Sequence, residues 1–298
     1  ITLLLAGGLA SSAGARQWTS NDGKTLEADF VSAQGDQVKL KRPNGQEFTL
    51  PLARLSETDQ EFVKLQAAAP AVKPIEGPFA KLVTGDWELG EAEGQQFAFY
   101  GSKTLSGEKK YPLVVSLHGR TKNSTNGKQV TGWMKSFTSE ENEKERPCFV
   151  LAPLSAQPES SEGYGWSGGE VERVVKLIKA LVKGLPIDPK RIYLIGHSMG
   201  GFGTCNVMAS EPRLFAAGIP VAGVSQSAVG EISRKPMWMF HAADDSVVPV
   251  AGAREFAELM KRNKDFKYIE TATGGHGVAK QVFNDPETHK WLFSQALK

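Results

Sequence analysis

The sequence predicts an α/β protein, a doubly wound and mostly parallel sheet preceded by a small β-barrel. Three observations carry this. From about Phe97 onward, short apolar runs alternate with helical patterns. The inner runs YPLVVSLHG, CFVLAP and RIYLIGH are continuously apolar, as strands covered on both faces require. Residues 16–66, by contrast, hold only short alternating runs broken by turn signals, and the Ala- and Pro-rich stretch 67–78 separates them from the rest.

At 298 residues there is room for one large and one small domain. With 35 basic against 33 acidic side chains, charge gives no argument for nucleic acid or an acidic membrane as partner. The opening ITLLLAGGLASSAGA has an apolar run to Ala10, then small residues ending Ala13-Gly14-Ala15. This pattern predicts the remnant of a signal peptide over 1–15, with Arg16 as the mature start and a secreted or periplasmic location. The run is too short to span a bilayer. Two cysteines make no disulfide framework, and Cys148 and Cys205 are expected as buried thiols. No His/Cys cluster has zinc-ligand spacing, and no metal or organic cofactor is expected.

Within 16–66 the first strand is RQWTS, followed by the turn Asn21-Asp22-Gly23. TLEADFVSA and QVKLKR alternate and end at Gly35-Asp36 and Pro43-Asn44-Gly45, and EFTLPL closes the set. Ser56, with Asp59 three residues on, resembles a capped helix start before EFVKL. So short a meander can close only a small barrel.

After the linker, over 79–298, strands are predicted at QQFAFYGS, YPLVVSLHG, CFVLAP, RIYLIGH, AAGIPVAG, PMWMFHAAD and FKYIETA. Val171, Val174, Val175, Ile178, Leu181 and Val182 follow helical spacing, and Gly184 ends that helix. REFAELMKR makes another helix. The last opens at Asp285-Pro286, an N-cap followed by Pro at the first helical position.

Between the strand RIYLI and the helix GFGTCNVMASEP lies GHSMGG, Gly196 to Gly201. A Gly-x-Ser-x-Gly run between strand and helix is the setting of a nucleophile elbow. Ser198 is expected on a strained turn with positive φ, presented at the carboxyl end of the strand where open sheets bind ligands. A serine hydroxyl needs a base. Of five histidines, His118 and His241 end strands, His289 lies in the last helix, and His197 is expected to point away from the pocket of Ser198. His276, in the glycine-flanked loop TGGHG, is the candidate base. The base needs an orienting carboxylate, and Asp244 or Asp245 in FHAADDSVVP can serve.

Two resemblances sharpen this reading. RQWTSNDGKTLEADF, VKLKRPNG and PLARLSETDQEFV resemble the Sla-homology domain (SHD), a small SH3-like barrel. In yeast adaptors that family binds short NPF-containing peptides, so the resemblance implies a peptide or surface partner, with a structural or attachment role preferred. YPLVVSLHGR, CFVLAP, RIYLIGHSMGGFGT, LFAAGIPVAG and PMWMFHAADDSVVPV resemble secreted esterases of the α/β-hydrolase superfamily, of the prolyl-oligopeptidase-like and polyhydroxybutyrate-depolymerase-like kinds. The chain order Ser, Asp, His is that superfamily's order. The resemblance implies that the second acid of H-x-x-x-D-x-V-V-P is the triad carboxylate, which selects Asp245. It also implies an oxyanion hole from the backbone N–H of Met199 and of a residue after SLHG, Arg120 with Thr121 in reserve, while His118 and Gly119 shape that loop. Relatives often carry a small residue where Arg120 stands.

Trp166, in the loop GYGWSGGE, is a candidate stacking platform for a sugar or aromatic acyl group. The expected activity is cleavage of a small-molecule or polysaccharide-linked carboxylic ester through an acyl-enzyme, with turnover rising through one ionisation around pH 6 to 7. Two alternatives remain. One is a serine peptidase of the prolyl-oligopeptidase type, though such peptidases usually carry a large gating propeller. The other is a non-catalytic binding protein.

Overall fold

The computed structural model describes residues 16–68, 73–120, 125–155 and 165–298. The expected leader over 1–15 lies outside the described residues, as do Thr121, Gly163 and Tyr164. Two compact units divide the chain, Ile1–Ala71 and Val72–Lys298.

In the first unit, β1 (Arg16–Thr19), β2 (Thr25–Gln34), β3 (Gln37–Lys41) and β4 (Glu47–Pro51) pair antiparallel in chain order. A register shift between Phe30 and Ser32 bends the long β2. The chain then returns to its start: Asn21 N–H donates to Arg54 O, and Ser56 N–H to Thr19 O, each at 2.8 Å. Together with the isolated bridge between Ser20 and Leu55, these bonds tie the end of β1 to the segment that follows β4, as closure of a small antiparallel sheet requires. Its core is Trp18, Val38, Leu40, Leu55 and Val63. The Trp18 indole donates to Ala28 O at 2.8 Å, which lets the ring be buried without an orphaned donor. Helix α1 (Glu57–Ala68) follows. The buried Asp59 ties its first turn to β1, accepting from Thr19 N–H at 2.7 Å and pairing with Arg16 at 2.6 Å.

The second unit carries an eight-stranded sheet in the order β12-β11-β10-β9-β7-β8-β6-β5. The strands are β5 (Trp87–Ala92), β6 (Gln95–Gly101), β7 (Tyr111–Leu117), β8 (Phe149–Pro153), β9 (Ile187–His197), β10 (Ala217–Val221), β11 (Met237–Ala242) and β12 (Phe266–Thr271). Only β6 runs against the rest; β5 pairs antiparallel with β6 and so runs the same way as the other strands. The helices are α2 (Glu140–Glu145), α3 (Gly169–Gly184), α4 (Met199–Ser210), α5 (Val229–Ile232), α6 (Ala251–Met260), α7 (Ala279–Asn284) and α8 (Pro286–Phe293).

Alternate residues of each inner strand enter different cores. Leu113, Val115 and Leu194 pack with Val174, Ile178 and Leu181 of α3 and with Phe256 of α6 on one face. Val114, Tyr193 and Ile195 pack with Phe137, Phe283 and Leu292 on the other. Burying each such aliphatic side chain contributes roughly 1.5–3 kcal/mol, which is why these strands read as unbroken apolar runs. Cys205 lies in the first layer and Cys148 in the second, both free and buried.

The structure departs from the sequence reading in several places. The linker expected over 67–78 is shorter. Helix α1 runs to Ala68, and residues 73–78 lie on the second unit, where Gly107 N–H donates to Lys73 O at 2.8 Å and Ile75 packs on the core. Gly107 makes the seat possible, since a Cβ there would stand 2.6 Å from Pro74 O. The edge strand β5 and the short helices α2, α5 and α7 have no counterpart among the predicted elements. Among the described residues, no helix is long and apolar enough to cross a membrane.

Candidate active site

Strand β9 ends at His197, and α4 begins at Met199. Between them Ser198 has φ 56° and ψ −120°, a strained conformation for a residue with a side chain. The flanking glycines make the turn possible. A Cβ on Gly196 would meet Gly200 O at 2.1 Å, and one on Gly200 would meet Leu117 O at 1.9 Å. The Ser198 backbone N–H donates to Val221 O at 2.8 Å, which fixes the elbow to β10.

The late glycine loop reaches this serine. Ser198 Oγ–H donates to His276 Nε2 at 2.8 Å, and His276 Nδ1–H donates to Asp245 Oδ2 at 2.9 Å. Asp245 Oδ1 accepts from Val247 N–H at 2.8 Å and Val248 N–H at 3.0 Å. Burial of the Asp245 carboxyl works to raise its pKa. The bonds from His276, Val248 and Val247 outweigh that and hold it below the usual carboxylate range. Asp244 accepts Gly275 N–H at 2.7 Å. It braces the loop that carries His276 and leaves the imidazole to Asp245.

Two histidines that the sequence reading passed over belong to this neighbourhood. His197 was expected to point away; instead its Nε2–H donates to His276 O at 2.6 Å, and the two rings stand 4.8 Å apart. Burial pushes His197 below the ordinary imidazole value. His241, fully buried, donates Nε2–H to Val248 O at 2.9 Å and lies 3.3 Å from Asp245 Oδ2. The spacing H-x-x-x-D was the available signal, because it places residues 241 and 245 across one tight turn.

Met199, the first residue of α4, offers one of the backbone donors that a helix start leaves without an intrahelical partner. The stretch after β7 runs beside the nucleophile, since a Cβ on Gly119 would stand 3.5 Å from Ser198 Cβ. Arg120 follows directly and its side chain is exposed. His118 anchors this stretch. Ser155 N–H donates to its Nε2 at 3.0 Å, so Nδ1 carries the proton and donates to Gly119 O at 2.6 Å. Burial lowers the His118 pKa, the direction that favours the neutral ring its two bonds require.

The stacking role expected of Trp166 does not survive. The ring is fully buried, edge-on to His118 with centroids 5.1 Å apart, and its Nε1–H donates to His118 O at 3.0 Å. No face is left for a ligand. Its bulk fills the space beside Gly203, where an added Cβ would meet the indole Cγ at 2.6 Å. Among the described residues, no group of three or more His, Cys, Asp or Glu side chains is arranged to hold a metal ion.

This chain matches the family model described as PET hydrolase-like over residues 179–292 and the SLA1 homology domain 1 model over residues 9–69. A bifunctional acetylxylan esterase/xylanase of Neocallimastix patriciarum is 26% identical over 170 residues, covering 55% of this chain and 23% of that protein. A poly(3-hydroxyalkanoate) depolymerase C of Paucimonas lemoignei is 28% identical over 121 residues, 38% of this chain and 28% of that one. Human prolyl endopeptidase FAP is 26% identical over 191 residues, 59% and 24% respectively. The chain thus spans about a quarter of the length of the curated relatives it matches. The crystal structure of a thermostable esterase superposes with a TM-score of 0.65 at 31% identity, over 72% of this chain and 64% of that one. With its mostly parallel eight-stranded sheet and its separate small antiparallel sheet, the chain has the α/β-hydrolase fold, matches the SLA1 homology domain 1 model in its N-terminal unit, and is similar to known esterases.

Proposed function

We propose that this protein is a serine hydrolase that cleaves carboxylic esters through Ser198, His276 and Asp245. One observation carries the reading: a strained serine hydroxyl lies 2.8 Å from an imidazole whose other nitrogen lies 2.9 Å from a carboxylate held below its usual pKa. In this mechanism Ser198 Oγ attacks the ester carbonyl while His276 Nε2 takes its proton. Asp245 stays ionised and stabilises the imidazolium. The N–H groups of Met199 and Arg120 are assigned to the developing oxyanion, each worth about 3 kcal/mol of barrier. His276 then protonates the leaving alcohol, and water activated by the same ring releases the acid.

The acyl group and alcohol remain assignments of class. The similarity to proteins named as an acetylxylan esterase and a polyhydroxyalkanoate depolymerase supports a polysaccharide-linked, polyester or small-molecule ester. The apolar opening residues support export, and the barrel is assigned to attachment to a peptide or surface. A second reading, amide cleavage, is favoured only by the match to a prolyl endopeptidase. A binding protein without turnover has no use for an elbow strained by about 1–3 kcal/mol.

The test is labelling with a fluorophosphonate, together with turnover of p-nitrophenyl acetate and butyrate against proline anilides. The expected result is one adduct on Ser198 and turnover of the esters alone. Anilide turnover exceeding ester turnover would establish the peptidase, and no adduct on folded protein would establish the binding protein.

A further inference from the structure

The loop that carries His276 has little conformational restraint of its own. Gly274 and Gly275 precede the histidine with φ 131° and 55°, and Gly277 follows it. Three outside groups hold it, each at a different point. Asp244 takes the amide of Gly275, Asp245 takes Nδ1 of the His276 ring, and His197 donates to the His276 carbonyl at 2.6 Å. The third tie comes from the residue next to the nucleophile. One turn of backbone therefore carries Ser198 Oγ and, one residue earlier, the donor that locates its base.

We infer that His197 is a positioning residue, which sets the distance between His276 and Ser198 by holding the His276 backbone carbonyl through its Nε2–H. The inference rests on the triad reading given above. The carbonyl can only accept, so Nε2 carries the proton in every charge state of the ring. The titratable groups facing His197 are His276, Asp245 and His241. Burial favours its neutral form, so the ring supplies a donor without placing a second positive charge beside the imidazolium that forms during attack. Removing the donor leaves a glycine-flanked loop with two ties. A displacement of the base near 1 Å costs about 10²-fold in turnover.

The experiment compares His197→Met with His197→Gln in the full-length protein. The two side chains are close in volume and length, and only Gln offers an N–H. The readouts are kcat and KM for p-nitrophenyl acetate, thermal melting, and the rate of fluorophosphonate labelling. His197→Met is expected to lower kcat by roughly 10–100-fold with KM within about twofold of the parent, and to slow labelling in proportion. His197→Gln is expected to recover kcat to within about threefold of the parent. Equal kcat in the two variants, at either the parental or the reduced level, overturns the inference. If His197→Met does not fold, His197→Ala against His197→Gln makes the same comparison. Ser198→Ala serves as the control that separates the two readings. Parental turnover in that variant defeats the triad, whereas an inactive Ser198→Ala beside a fully active His197→Met defeats the positioning role alone.

Discussion

Asp244 Oδ1 accepts the amide of Gly275 at 2.7 Å, so the acid adjacent to Asp245 braces the backbone of the histidine loop and does not touch the ring. Two neighbouring carboxylates therefore have separable effects. Asp245→Asn is expected to reduce kcat by about 10⁴-fold, since the imidazole loses its orienting anion while the geometry survives. Asp244→Ala is expected to cost only about tenfold, through a looser loop. Steady-state kinetics on one ester measures both, and similar losses in the two variants would contradict this division of roles.

Asp245 also links stability to pH. Its folded-state pKa is depressed, so it contributes stability above the ordinary carboxylate range, and that contribution is lost as pH falls through the depressed value. Urea denaturation of the parent and of Asp245→Asn should therefore show a stability gap at pH 6 that narrows below about pH 4. A gap that widens on acidification would mean that the carboxyl is protonated in the folded state.

Trp166 is expected to matter for stability and not for binding. Trp166→Phe removes the donor to His118 O and leaves that buried carbonyl unpaired, at a cost of about 1–3 kcal/mol. The melting temperature of the second unit should fall by several degrees, with KM for aryl and sugar esters unchanged. A raised KM with parental melting would restore the ligand platform.

At the β5–β6 hairpin, Glu93 and Gly94 both have positive φ, 54° and 70°, and Ala92 pairs with Gln95. This is the two-residue turn that favours Asn-Gly. Glu93 is exposed and is one of three described non-glycine residues with positive φ. Glu93→Asn is expected to stabilise the protein by about 0.5–1 kcal/mol with turnover unchanged. Calorimetry checks it, and a lowered melting temperature would show that the glutamate stem has contacts worth more than the strain.

Much of this was legible in the sequence because the relevant signals are local. The elbow is visible in GHSMGG because its residues are contiguous between one strand and one helix, although Gly200 answers a contact with Leu117 O of β7. The inner strands show as apolar runs because both faces of the sheet are covered. What failed depends on partners distant in sequence. Trp166 looks like a loop aromatic until His118, 48 residues earlier, is found receiving its indole N–H. His197 bonds a carbonyl 79 residues away, and no pattern around GHSMGG encodes that. Strand β5 was missed because WELGEA is an edge strand with one half-covered face and no β-branched residue. Glu93 also hides the turn that follows it.

Each face of the large sheet contains one sulfhydryl, Cys205 on the side of α3 and α6 and Cys148 on the side of α8, and burial pushes both up to about 12. Neither should react with a thiol reagent in the native protein. In a denaturant series, pulse alkylation followed by peptide mapping would time the loosening of each side separately. The unmodified polypeptide thus carries two internal clocks, one per layer, and their agreement or disagreement reports whether the second unit opens as one body or in two stages.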